Sequence, residues 1–250
     1  MKLFAFSIVI ILISGLLGGC NSNSGQRIVG IDPDQPSNDS LMEGERSVFS
    51  ENGKLHYIVE YKKGKANGRV REFYTDGKLY MDAIYKDGHR NGKCTHFFKN
   101  GKPFGVANFI NGQKDGIETK YYEDGKILAT IPYKKDKVQP GLKEFKKDGT
   151  EIREDISLLI KEIDHSAIEG KYYVQVSLSH PHADVKFYAS PQSDPDSREK
   201  LKMSGSTGIL NVPLSNGGFV MKKLIFDAEY KTSRGNTMRL QKFYNLAVDL

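Results

Sequence analysis

Tyr85-Lys86-Asp87-Gly88-His89-Arg90-Asn91-Gly92-Lys93-Cys94-Thr95-His96-Phe97-Phe98-Lys99-Asn100-Gly101-Lys102 is one instance of a pattern that recurs along the chain. Its last glycine belongs to a series at a constant 24-residue interval, Gly53, Gly77, Gly101, Gly125 and Gly149, each preceded by Asn or Asp. Gly64, Gly88 and Gly112 keep that interval, and so do Gly68, Gly92 and Gly116. Aromatic residues keep it as well, at Tyr61, Tyr85, Phe109 and Tyr133 and again at Phe73, Phe97, Tyr121 and Phe145. Agreement of this many positions at one spacing marks a repeat array, in which small units stack because none buries an apolar face alone. The last copy departs, with Asp136 and Pro140 at two of the glycine positions, as terminal repeats often do.

Each copy reads as two strands and two turns. Asn-Gly and Asp-Gly pairs favour tight turns with positive φ, which Gly adopts freely and Asn or Asp tolerates. Alternation over Leu79, Met81, Ala83 and Tyr85, and over Leu55, Tyr57, Val59 and Tyr61, places one apolar row on one face. Ile127, Ala129, Ile131 and Tyr133 repeat the row, and Pro103, Gly105, Ala107 and Phe109 give a weaker version. Pro103 and Pro132 lack a ladder donor, so irregular strands are expected there. The second strand of each unit, such as Arg69–Tyr74 or Lys93–Phe98, ends in paired aromatics. Residues 51–150 are thus expected to form about eight antiparallel strands in a long twisted sheet.

These motifs resemble the MORN-repeat-variant family, whose bacterial members are often labelled YwqK-type antitoxins. The likeness covers about 100 of the 250 residues. It implies an all-β array of hairpins used for protein or membrane contact, with no catalytic residues, and it gives the glycines a structural role only.

The chain opens with Lys2 and then an almost wholly apolar run, Leu3 to Leu17, which is short for a membrane span. Leu17-Gly18-Gly19-Cys20 follows and looks like a bacterial lipobox. Residues 1–19 are therefore read as a lipoprotein signal peptide, with acylated Cys20 as the mature N-terminus; several acyl chains on one residue suffice for stable anchoring. Asn21 stands where an Asp would resemble an inner-membrane retention signal, and no acidic cluster follows the cysteine. The expected place is the cell envelope, on the periplasmic face of the outer membrane where the host has two membranes. With Cys20 lipidated, Cys94 has no partner for an intramolecular disulfide; beside Gly92 and His96 it could be a reactive or metal-binding thiol, but its slot takes Val70, Glu118 and Leu142 in the other copies, so it is expected to be a small half-buried filler.

Residues 20–50 are polar and include Asp32-Pro33-Asp34-Gln35-Pro36, the composition of a flexible tether. Residues 21–50 hold two Arg against five Asp plus Glu, a net of −3, whereas residues 51–150 hold 21 Lys plus Arg against 13 Asp plus Glu, a net of +8. Anionic lipid or an acidic wall polymer would suit that excess. Lys54, Lys78, Lys102 and Lys126 nevertheless follow the turn glycines at the structural period, where a solvated lysine also discourages edge-to-edge pairing. Nucleic acid is not an expected partner of an exported lipoprotein.

Residues 151–250 lose the period. Lys171–Leu178, Asp184–Ala189, Gly208–Leu214, Leu224–Tyr230 and Met238–Val248 are β-branched and aromatic runs at short spacing, as in a domain of β-sandwich type. Ile156, Leu159, Ile160 and Ile163 suit either a short helix or a first strand. No phosphate loop, nucleophile elbow, zinc-protease helix or paired-cysteine motif occurs, and His180-Pro181-His182 reads more simply as a polar turn than as a metal site. The chain is read as a non-enzyme without cofactor or metal. Its expected role is a scaffold with a protein partner in the envelope; a binder of anionic lipid or wall polymer, or an immunity-like neutraliser, are the alternatives. The expected contact residues are the second members of the aromatic pairs, Tyr74, Phe98 and Tyr122, with the basic Arg69, Arg71 and Lys93.

Overall fold

The computed structural model describes residues 27–29, 33, 42–214 and 219–248; the expected signal peptide and its Cys20 lie outside them. Thirteen strands form one sheet, in chain order along its length. They are β1 Arg27–Val29, β2 Gly44–Phe49, β3 Leu55–Lys62, β4 Lys65–Phe73, β5 Leu79–Lys86, β6 His89–Phe97, β7 Pro103–Ile110, β8 Gln113–Lys114, β9 Gly116–Tyr121, β10 Ile127–Lys134, β11 Lys137–Val138, β12 Lys143–Phe145 and β13 Glu151–Ile152. All neighbours pair antiparallel except β1, which lies parallel to β2.

The expected tether over 20–50 is corrected at its C-terminal end. Gly44–Phe49 is the first strand of the array and Val48 is fully buried in it. Low hydropathy over the whole stretch hid a strand that needs only alternate apolar positions. Gly44 and Phe49 stand one interval before Gly68 and Phe73, which is the signal that marks the missing half-unit.

The two turns of each unit differ. Lys63-Gly64, Asp87-Gly88, Asn111-Gly112 and Lys135-Asp136 are two-residue turns with positive φ at both positions, the type I′ pattern that matches strand twist. Asp136 adopts φ 64°, so the departure from Gly keeps the turn. The other turn is longer: Phe98 N–H donates to Lys102 O at 2.8 Å and Gly101 N–H to Phe98 O at 2.9 Å. Only its Gly has positive φ; the preceding Asn or Asp accepts the N–H two residues on, as Asn100 Oδ1 does from Lys102 at 3.0 Å. Neighbouring units are also tied at the type I′ edge, where Gly88 N–H donates to Ala66 O and Gly112 N–H to Arg90 O, both at 2.8 Å.

Two register shifts recur in every unit. Glu72 faces Met81 and Phe73 faces Leu79, which leaves Tyr80 unpaired; His56, Phe104 and Leu128 take the same place in the other copies. Such bulges bend and twist the strand. The second shift sets three residues, such as Asn67-Gly68-Arg69, against the single Glu60. Pro132 occupies that single position in β10 and Pro103 opens β7 beside the first shift, so the irregularity expected at both prolines falls on the register shifts, while β10 runs on through Pro132.

Val59, Tyr61, Ala66, Val70, Met81, Ala83, Tyr85, Cys94, Ala107 and Phe109 form one buried cluster on one face. The large rings lie beside small neighbours, and Cys94, expected half-buried, is instead fully buried in the slot that Val70 fills in the preceding unit, because its side chain points into the single apolar face.

Residues 158–248 form a two-sheet sandwich. Strands β14 Leu158–His165, β15 Lys171–Leu178, β19 Thr207–Val212 and β18 Lys202–Ser204 make one sheet. Strands β17 Glu199–Lys200, β16 Lys186–Pro191, β20 Val220–Lys231 and β21 Thr237–Val248 make the other. The ambiguous run with Leu159, Ile160 and Ile163 is strand, paired with β15 over its whole length. Val174, Val176, Phe187, Val212, Phe226 and Leu246 fill the space between the sheets. Glu162 on β14 accepts hydrogen bonds from Tyr172 on β15 and Tyr244 on β21, which clamps the two sheets at that side.

The β20–β21 hairpin docks on the last unit of the array. Glu144 Oε1, itself buried, accepts from Thr232 Oγ1 at 2.8 Å and from Asn236 Nδ2 at 2.5 Å, and Lys120 Nζ donates to Asn236 Oδ1 at 2.8 Å. Met238 packs both in the sandwich core and against Ala129, Ile131 and Leu142. The hairpin thereby covers the apolar end that a terminal repeat would otherwise expose.

Candidate functional site

The expected contact row is corrected by its hydrogen bonds. Tyr74 OH donates to Phe97 O and Tyr122 OH to Phe145 O, each at 2.7 Å and each reaching the next unit. Arg234 Nη1 also donates to Tyr122 OH at 2.6 Å. Phe98, which has no hydroxyl, packs on Phe104 with ring centroids 5.3 Å apart. All three rings are half-buried, no less than Phe73, Phe97 and Tyr121, so they bind the units to one another and do not form an exposed row. Alternation failed here because the pair stands where the strand passes into the long turn and the register shifts.

The basic members lie elsewhere. Arg69 and Arg71 flank the buried Val70, and Lys93 precedes the buried Cys94, so alternation places them on the face away from the core. Arg69 makes a two-point bond to Asp82 at 2.8 and 2.5 Å, and Arg71 bonds Glu45 at 2.9 Å. Lys93 is exposed. The single basic and aromatic face expected from the sequence is therefore absent among the described residues.

The register shift assembles a different strip. Tyr80 lies 5.0 Å from Tyr74, 5.4 Å from His96 and 6.0 Å from Phe104 by ring centroids, and His96 lies 5.5 Å from Phe104. His56 continues it in the preceding unit, 4.1 Å from Tyr57. A cleft of about 350 Å³ opens beside it, lined by Ser50, His56, Glu72, Tyr74 and Tyr80 among others. A second, of about 290 Å³, is lined by Pro33, Tyr57, Glu72, Tyr80, Met81, Tyr85, Arg90 and His96. His56, Tyr80 and Phe104 keep the 24-residue interval, so their recurrence is legible in the sequence; their face is not.

Burial sets the electrostatics of the strip. It raises the Glu72 carboxyl above the ordinary value, against the opposing pull of His56, whose Nε2 lies 3.5 Å away. Burial, Arg90 and Lys114 lower His96, which favours its neutral ring. In the fourth unit a polar network takes over: Lys114 Nζ meets Glu118 at 2.7 Å and sits 4.9 Å over the Tyr133 ring, whose hydroxyl is pushed up to about 12 by burial and Glu118. That unit also receives the sandwich hairpin, so the aromatic strip belongs to the units before it.

Among the described residues no group of three or more His, Cys, Asp or Glu side chains is placed to hold a metal ion. His180 meets Ser179 Oγ at 3.2 Å and His182 stacks on Tyr230 at 4.3 Å, the two rings having separate neighbours.

Residues 42–63, 66–87, 90–111 and 114–135 match the family described as MORN repeat variant, so the array consists of four tandem copies of that repeat. The first match begins where β2 begins, within two residues. No curated protein matches the chain.

Proposed function

We propose that the four MORN repeat variants form a protein-binding scaffold in an envelope lipoprotein, anchored through Cys20 and holding its partner on the strip His56–Tyr80–Phe104. The supporting observation is the half-buried ring cluster of Tyr80, His96 and Phe104, in contact across successive units, beside two clefts, the first of which His56 lines, on the part of the array before the unit that receives the sandwich. Aromatic side chains carry much of the energy in protein interfaces. Repeats of this kind commonly contact proteins or membranes, which agrees with a scaffold.

Capture of envelope proteins from solubilised membranes tests the reading. Tyr80→Ser with Phe104→Ser is expected to reduce capture more than tenfold, while Lys93→Ala leaves it unchanged. Undiminished capture by a folded double variant would place the contact on another surface. The anchor has its own test. Labelled fatty acid is expected to enter the wild-type chain and not Cys20→Ser; equal labelling of the two would remove the lipoprotein assignment.

The second reading is contact with anionic lipid or wall polymer. It draws on Lys62, Lys63, Lys65, Lys86, Lys134, Lys135 and Lys137, all exposed near the type I′ edge. It predicts vesicle binding by Cys20→Ser that falls steeply as salt rises.

A further inference from the structure

The β20–β21 hairpin meets the array through its turn, and its opposite end carries a different surface. Met221 on β20 and Phe243 on β21 are the most exposed large apolar side chains among the described residues, each at 65%, and Phe219, just before β20, stands at 59%. Leu224, Phe226 and Ala228 fill the core, so alternation sets Met221, Lys223 and Ile225 on the outer face of the sheet. Ile225 pairs with Phe243 and Lys223 with Asn245, which brings Phe243 to the same face, diagonal to Lys223. Nearer the array that face is ion-paired: Asp227 is held by Arg239, and Arg198 takes Asp227 and Glu229 at 3.3 and 2.8 Å. At the far end the acids stop. Residues 219–226 and 242–248 contain Lys222, Lys223 and Lys242 and no Asp or Glu, and Lys242 Nζ donates to a carbonyl, Leu158 O, at 3.1 Å. Lys222 and Lys223 also line a cleft of about 590 Å³ whose walls include Pro191, Leu210 and Leu224, with Glu199 the acid among its lining residues.

We propose that this end of the sandwich, with Phe219, Met221 and Phe243 beside Lys222 and Lys223, is a docking surface for an anionic bilayer. Lysine is depleted in protein interfaces, and a second copy of the same patch would set lysines against lysines. A bilayer takes both kinds of side chain at once: rings and thioether enter the boundary of the acyl layer while the ammonium groups stay level with the anionic headgroups. The surface lies outside the repeats, and its use depends neither on the ring strip nor on Cys20.

Co-sedimentation of the full chain carrying Cys20→Ser with vesicles of equal parts phosphatidylglycerol and phosphatidylcholine tests the surface. Binding is expected to fall roughly tenfold or more with Met221→Ser plus Phe243→Ser, and as far with Lys222→Glu plus Lys223→Glu or on vesicles of phosphatidylcholine alone. Lys134→Glu with Lys135→Glu, on the array, is expected to change it less than twofold. A second measurement does not depend on the fold tolerating those pairs. An environment-sensitive dye on Met221→Cys is expected to shift to the blue on adding vesicles, whereas the same dye on Asn211→Cys, exposed on the other sheet, is not. A parent chain that does not bind, or a Met221 label indifferent to vesicles, would overturn the proposal. Binding lost in the array variant and kept in both sandwich variants would overturn it too, and would assign lipid contact to the repeats. Capture of membrane proteins is measured separately, so failure here leaves the scaffold reading untouched.

Discussion

Asp227→Ala is expected to lower the unfolding free energy by about 3–5 kcal/mol, the range for breaking a buried ion pair from one side. Asp227 is wholly buried. Its carboxylate accepts from Arg239 Nε at 2.8 Å and Nη2 at 3.1 Å, with Arg198 Nε 3.3 Å away on the other side. Removing it leaves the guanidinium of Arg239, itself only 5% exposed, without its counter-charge. The same Arg239 donates through Nη1 to Val138 O at 3.2 Å and Gln139 Oε1 at 3.3 Å in the array. The loss is therefore expected to reach the joint, and urea unfolding followed by circular dichroism would show a lower midpoint and a separate transition for the sandwich. A loss below about 1 kcal/mol would mean that the pair is no stronger than a surface salt bridge.

Gly68→Ala is the second large effect. Gly68 has φ 126°, and a Cβ there would fall on the Glu60 carboxylate and within 3.0 Å of the Glu60 Cβ. Glu60 would have to swing out and give up the bond its Oε2 accepts from Arg69 N–H at 3.1 Å. Backbone strain of roughly 1–3 kcal/mol and a lost hydrogen bond of roughly 1 kcal/mol together predict a destabilisation of about 2–4 kcal/mol. Gly101→Ala provides the comparison. Its φ is 82° and its Cβ would meet open space, so only the left-handed strain of about 1–2 kcal/mol is expected. Equal melting temperatures for the two variants would contradict the close packing of Glu60 on the bulge.

The repeat period, the hairpins and the sandwich were all legible because each rests on local chemistry: glycine at turns, alternation along strands, β-branched runs. What stayed hidden depends on pairing across strands. Leu79, Met81, Ala83 and Tyr85 satisfy alternation in the sequence, but the shift at Glu72–Phe73 leaves Tyr80 without an opposite residue and adds it to the ring strip. Tyr74 and Tyr122 look like exposed partners of Phe73 and Tyr121 until their hydroxyls are found on carbonyls 23 residues away. Arg69 and Arg71 count toward the net +8 on paper, yet Asp82 and Glu45 bond them in space. Asp136 breaks the glycine series while adopting the same turn, since an Asp tolerates left-handed φ.

The rung-like bonding of one type I′ turn to the turn before it has a consequence for how such a chain changes over generations. Gly64 N–H donates to Met42 O, Gly88 to Ala66 and Gly112 to Arg90, so what a unit needs from its predecessor at this edge is a backbone carbonyl, and the inter-unit ladders and ring contacts likewise recur at the same 24-residue spacing. Duplication or loss of one 24-residue coding segment would therefore leave both capped ends untouched and alter the span of the sheet by two strand spacings, roughly 10 Å. The array is a ruler that recombination can lengthen or shorten in whole divisions, and the distance between its first strand and the sandwich is the quantity on which selection can act.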